Sequence, residues 1–223
     1  MKRPFFVSHL VKDLRLEWRS KDAINSMLFF ALLVVVLFSL AFDPTREASR
    51  HIAGGILCVA TMFASVSALN QAWSRELRHQ VLDAQRMTPV PAASLFLGKV
   101  LANFFFVTVV ELVLTPVFIV FYNLHALGNG WLLALVLPLG TWALVVNGTF
   151  FAALSIRTRN RELLLPLILF PLFIPALLGM VVAATNILTG DQDPTWWIEM
   201  LAGYDVIYTT ICLLLFEIVL HAE

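Results

Sequence analysis

One carboxylate interrupts the oily stretch FFFVTVVELVLTPVF. Glu111 sits deep inside a run long enough to cross a bilayer. A charge there costs roughly 2.5–3.5 kcal/mol on insertion scales unless it is paired, neutralised or hydrated. Such a group can line a transport route, hold a partner, or hydrogen-bond between helices as a neutral acid. Asn103, Ser65, Thr61 and Asn147 are the polar residues in other apolar runs, or in its own, that could meet it. A second candidate is RELLLPLILFPLFIPALLG, where Pro166, Pro171 and Pro175 each remove a helical hydrogen bond. Broken helices are common near transport sites, so this stretch is expected to bend or partly re-enter and to act as a moving element. The third candidate is polar. Residues 74–88 carry Arg75, Glu76, Arg78, Asp83 and Arg86 around an apolar stripe containing Leu77 and Val81. Pro89 and Pro91 then stop the helix. An amphipathic helix of this kind fits a groove on a partner.

Chemistry of other kinds finds little support. No His/Asp/Glu set has metal-ligand spacing, and no nucleophile–base pair is visible, so no catalytic residue and no metal site are expected. The glycines form no GxxxxGK[ST] phosphate loop. His9, His51, His79, His125 and His221 all fall outside the centres of the apolar runs, which leaves no indicated haem ligand. Cys58 and Cys212 each lie within an apolar run and read as buried hydrophobes.

The elements that must position these groups follow from composition. Of 223 residues, 60% are hydrophobic and 13% charged, against roughly 25% charged in soluble domains. The bilayer is the natural solvent for such a chain. Lys and Arg balance Asp and Glu at 15 each, so no nucleic-acid partner is indicated. The expected fold is an all-α integral membrane protein of one permease domain, residues 1–223. Six spans are placed near 23–42, 52–73, 95–122, 131–156, 163–188 and 198–220, because only helices or closed barrels satisfy a backbone in lipid and no period-2 alternation appears. An amphipathic helix over 4–19, with Val7, Leu10, Val11, Leu14 and Trp18 on one face, is expected to lie in the interface. Lys99 is expected to snorkel to the interface at the start of the third span. Trp196 and Trp197 fit an aromatic belt at the far side of the bilayer.

Basic residues set the orientation. The N-terminal segment, residues 75–99 and residues 157–161 fall on one side and hold all but Arg46 and Arg50 of the 15. The positive-inside rule puts that side, and both termini, in the cytoplasm.

Several stretches, in order, resemble one family. They are KDLRLEWRSKDAINSMLFFALLVVVLFS at 12–39, RELRHQVLDAQRMTPVPAASLFLGK at 75–99, VELVLTPVF at 110–118, RELLLPLILFPLFIPALLG at 161–179 and YDVIYTTICLLLFEIVL at 204–220. The pattern looks like the membrane subunit of type-2 ABC exporters, and it resembles the haem exporter protein B family of cytochrome c maturation in particular. That resemblance implies a non-catalytic permease in the inner membrane. It implies ATP hydrolysis on a separate cytoplasmic ATPase subunit docked at 74–88, a second copy of the permease, and other membrane proteins of cytochrome c maturation as partners. Haem would be a handled ligand and no cofactor would be resident. On the residues alone, a type-2 ABC permease for a lipid, drug or polysaccharide stays open. So does an ion-coupled secondary transporter with Glu111 as proton site, and so does a membrane enzyme.

Overall fold

The computed structural model describes residues 10–15, 18, 21–42, 47–72, 91–122, 129–155 and 161–221. Six long helices carry the fold: α1 (Asp22–Ala41), α2 (Glu47–Ala72), α3 (Ala92–Tyr122), α4 (Leu133–Leu154), α5 (Arg161–Thr189) and α6 (Thr195–His221). A 3-10 turn, Gly130–Leu132, leads into α4. Each helix contains a window long and apolar enough to cross a membrane. The chain is therefore an all-helical, multi-pass membrane protein, as its composition requires.

Two spans form the centre. In the apolar windows of α2 and α4, 67% and 61% of residues are buried, against 22–39% in the other four. α2 packs on α1, α3, α4 and α5, while α4 packs on α2, α3, α5 and α6. Their sequences explain this role. Lipid tails are as apolar as leucine, so helices associate by close van der Waals fit, and small residues permit it. α2 supplies Ala53, Gly54, Ala60, Ala64 and Ala68, all buried. Gly54 lies so close to α5 that an added Cβ would meet the Thr185 backbone nitrogen at 2.7 Å. On α4, Gly140 faces Met180 and Gly148 faces Leu69 with no room for a side chain.

Hydrogen bonds pin this packing at intervals. Ser26 on α1 pairs with Ser67 on α2 at 2.7 Å. The Tyr122 hydroxyl donates to the Val35 carbonyl, joining α3 to α1. Asn103 on α3 donates to Thr149 on α4.

Residues 10–15 are helical, within the amphipathic segment expected over 4–19. Leu14 packs against the core and Trp18 is exposed. Lys99 does not reach out to water. Its side chain is buried and its ammonium pairs with Asp13 at 3.3 Å. The structure thus replaces the expected snorkel with a tie between the N-terminal helix and the start of α3. Lys21, at φ 58°, makes the left-handed turn that admits α1.

α5 runs as one unbroken helix through Pro166, Pro171 and Pro175, without the re-entry that is one of the two expectations for this span. Pro171 and Pro175 are exposed. At the end bearing the α5–α6 turn, Trp196 and Trp197 meet edge to face at 4.7 Å, and Trp131 is exposed beside α4. All three tryptophans stand at this one end of the bundle.

Candidate functional site

Glu111 projects from α3 into the bundle and is 4% exposed. Its Oε1 accepts a short hydrogen bond from the Thr141 hydroxyl of α4. Thr61 of α2 presents its hydroxyl to the same carboxylate without reaching hydrogen-bond geometry. One turn on, Thr115 donates to the Glu111 carbonyl at 2.7 Å. The carboxylate therefore sits where α2, α3 and α4 meet. Of the partners read from sequence, Thr61 lies beside Glu111, Asn103 is engaged with Thr149, and Asn147 faces another cluster. Ser65 is buried with its hydroxyl unpartnered among the described residues. Thr141, the actual partner, was absent from that set. Its signal was a hydroxyl in the middle of the fourth span, which also carries Asn147 and Thr149.

Beside Glu111 a cleft of about 670 Å³ separates α3 from α4. Thr108, Glu111, Leu112 and Pro116 line one wall, and Ala134 and Pro138 line the other. Pro116 and Pro138 both stand inside helices. Each lacks the amide hydrogen its helix needs. The helices part where their proline turns face each other. Leu112 is 72% exposed, so the cleft opens to the side of the bundle.

A second polar cluster occupies the opposite flank of α4. The Asn147 amide donates to the Ala143 carbonyl at 2.9 Å and to the Tyr204 hydroxyl at 3.2 Å. Tyr204 in turn donates to the Leu172 carbonyl of α5 at 3.0 Å. The Cys212 thiol points at Asn147 Oδ1, 3.9 Å away. The Trp142 indole donates to Thr209 at 3.0 Å. Next to this network Asp205 is buried, and neither carboxyl oxygen has a partner among the described residues. Asp205 escaped the sequence reading, although the insertion-cost argument that isolates Glu111 applies equally to an acid inside YDVIYTTICLLL.

At the far end of the bundle, the α5–α6 turn forms a polar pocket of about 420 Å³ with Asn129, Asn186, Asp191 and Asp193 on its walls. His51 stands 3.7 Å from Asp191 there, exposed. Asp193 accepts hydrogen bonds from the Thr195 hydroxyl and amide, which hold its carboxyl below the ordinary value of 3.8.

The structure does not gather the sequence candidates into one site. Arg75, Glu76, Leu77, Arg78, Val81, Asp83 and Arg86 lie outside the described residues, as do His9, His79 and His125. Pro171 and Pro175 do not line the cleft beside Glu111, and Pro166 is described only in its backbone. Among the described residues no three His, Cys, Asp or Glu side chains are placed to hold a metal ion.

The fold and site define a multi-pass helical membrane protein with a buried carboxylate beside a side-opening cleft. The family model for the CcmB protein matches residues 5–220. The chain is 34% identical to Heme exporter protein B of Rhodobacter capsulatus, over 76% of this chain and 77% of that protein. It is 33% identical to Heme exporter protein B of Paracoccus denitrificans over 76% and 77%, and 31% identical to that of Pseudomonas aeruginosa over 76% and 75%. This chain belongs to the CcmB protein family.

Proposed function

We propose that this chain is the membrane permease subunit of an ATP-driven export complex that serves haem delivery for c-type cytochrome maturation. The observation that carries the reading is the family match along nearly the whole chain, to relatives named as haem exporters. The all-helical six-span bundle is the architecture such a subunit needs. The chain has no phosphate loop, so the ATPase is a separate cytoplasmic partner. Residues 74–88 are its docking helix, with Arg75, Glu76, Leu77, Arg78, Val81, Asp83 and Arg86 as contacts. A second copy of the permease and other membrane proteins of cytochrome c maturation complete the assembly. The bias of basic residues supports cytoplasmic termini, and the likeness to haem exporter proteins supports the inner membrane. Glu111 is the intramembrane polar group of the transport route. Pro166, Pro171 and Pro175 give α5 the capacity to bend during the cycle. Haem is cargo, not a resident cofactor, and ATP binds only the partner.

Two measurements test this. Deleting the gene should remove holo-cytochromes c; normal levels would discard the maturation role. Arg75→Glu with Arg78→Glu, or Val81→Asp, should reduce co-purification of the ATPase about tenfold, as expected when a central interface contact is lost, while membrane insertion persists. Undiminished co-purification would remove 74–88 as the docking element.

A further inference from the structure

The cleft between α3 and α4 has a chemical bias of its own. Its walls are mostly aliphatic, and it opens sideways at Leu112. A volume of about 670 Å³ suits a small apolar ligand. The polar groups it offers are mainly acceptors. Glu111 uses Oε1 for Thr141, and Thr61 presents its hydroxyl to the carboxylate without reaching hydrogen-bond geometry, so the carboxylate keeps capacity to accept. Pro116 and Pro138 cannot donate, so the carbonyls of Leu112 and Ala134, four residues earlier, lose their helical partners. Both of those residues line the cleft. The Thr108 hydroxyl, buried and unpartnered among the described residues, lies on the same wall. Two prolines on facing helices thus free two acceptors beside one buried acid.

We propose that this cleft binds a membrane-partitioned, single-chain amine, its apolar body along α3 and α4 and its protonated nitrogen donating to Glu111 and to the freed carbonyls. An anionic head is disfavoured, because it would meet a carboxylate and two freed carbonyls against one hydroxyl donor, Thr108, in a medium where an unpaired charge is costly. A phospholipid head is excluded by depth. Glu111 lies 11 residues before the end of α3 at Tyr122, or about 16 Å at 1.5 Å per residue, too deep for a phosphate. The inference goes beyond the permease reading, and binding is read without ATPase, haem or turnover. Its failure therefore leaves the permease reading standing.

The test uses the full chain in phosphatidylcholine vesicles and two photoactivatable probes, a diazirine-bearing hexadecylamine and the matching hexadecanoate. The amine should label peptides spanning 108–119 and 130–138 roughly tenfold more than the carboxylate, the discrimination of one charge-assisted hydrogen bond. Glu111→Gln should abolish that preference while keeping the Thr141 contact and hence the fold. Ala134→Phe, which fills the cleft without touching Glu111, should remove labelling by both probes. Equal labelling by amine and carboxylate would mean a crevice filled with bulk lipid and would overturn the proposal. So would an amine preference unchanged in Glu111→Gln, or competition by added phosphatidylethanolamine.

Discussion

Lys99 and Asp13 form an ion pair at 3.3 Å, with only 7% and 14% of their side chains exposed. Asp13 also lies 3.2 Å from Lys12. The pair joins the N-terminal helix to the first turns of α3, after the segment proposed for ATPase docking. Removing one member of a desolvated pair strands the other, at about 3–5 kcal/mol for a fully buried pair. With some solvent at Asp13, Lys99→Met is expected to cost about 2–3 kcal/mol in denaturant unfolding in micelles. The double variant Lys99→Met, Asp13→Leu should recover more than about 1 kcal/mol of the summed single losses. Additive losses would show that the two charges do not act together.

Gly54 and Gly203 provide a matched pair. A Cβ at Gly54 would strike both the Thr185 side chain, at 2.6 Å, and its backbone. Backbone cannot rotate aside, so Gly54→Ala must push α2 from α5 and is expected to cost about 1–3 kcal/mol. At Gly203 nothing lies within 4 Å. There Gly203→Ala should be neutral or stabilise by up to about 1 kcal/mol through helix propensity. Thermal denaturation of the two variants in one detergent decides it, and equal melting points would refute the packing argument.

Tyr204 bridges α4 and α5 through one hydroxyl. Tyr204→Phe leaves the Tyr208 stack, at 4.1 Å between rings, intact. The loss is expected to be about 1 kcal/mol, near the upper end for interhelical hydrogen bonds in membranes. The proline-rich part of α5 should also exchange backbone hydrogens faster, since Leu172 belongs to it. Unchanged exchange there would separate the tyrosine from the stability of α5.

Acid should loosen the α5–α6 turn. The Asp193 carboxyl is held below its ordinary value by bonds from Thr195, so its contribution is complete above 3.8 and disappears as pH falls through the lower folded-state value. Protection of the Thr195 amide, corrected for the intrinsic exchange rate, should therefore fall in acid in the native chain. In Asp193→Asn, which keeps an acceptor but cannot titrate, the protection should lack that acid step. An acid step of the same size in the variant would assign it to another group.

Much of the bundle was legible because lipid leaves a chain few options. The six apolar runs read from composition match the observed helices to within about five residues at each end, since the same hydrophobic run both crosses the bilayer and sets helix length. Glu111 was legible for the converse reason: a carboxylate among phenylalanines and valines is conspicuous. Its surroundings were not. Whether Thr141, Asn147 or Asn103 meets it depends on which faces of α3 and α4 oppose each other, and these helices are apolar all round. Asp205 needed only the same rule applied once more. The cleft was hidden because one proline in α3 and one in α4 say nothing of each other in sequence, and only their meeting along one cleft gives Pro116 and Pro138 a shared effect.

Cys58 and Cys212 are both buried, at 0% and 2% exposure. Their thiols are inert toward water-borne maleimides as long as the bundle stays folded. A reporter cysteine can therefore be introduced one position at a time into the otherwise unaltered sequence. Placed between residues 73 and 90 and in the turn before α6, two such reporters would assign sidedness from intact cells, with no cysteine-free background to build first.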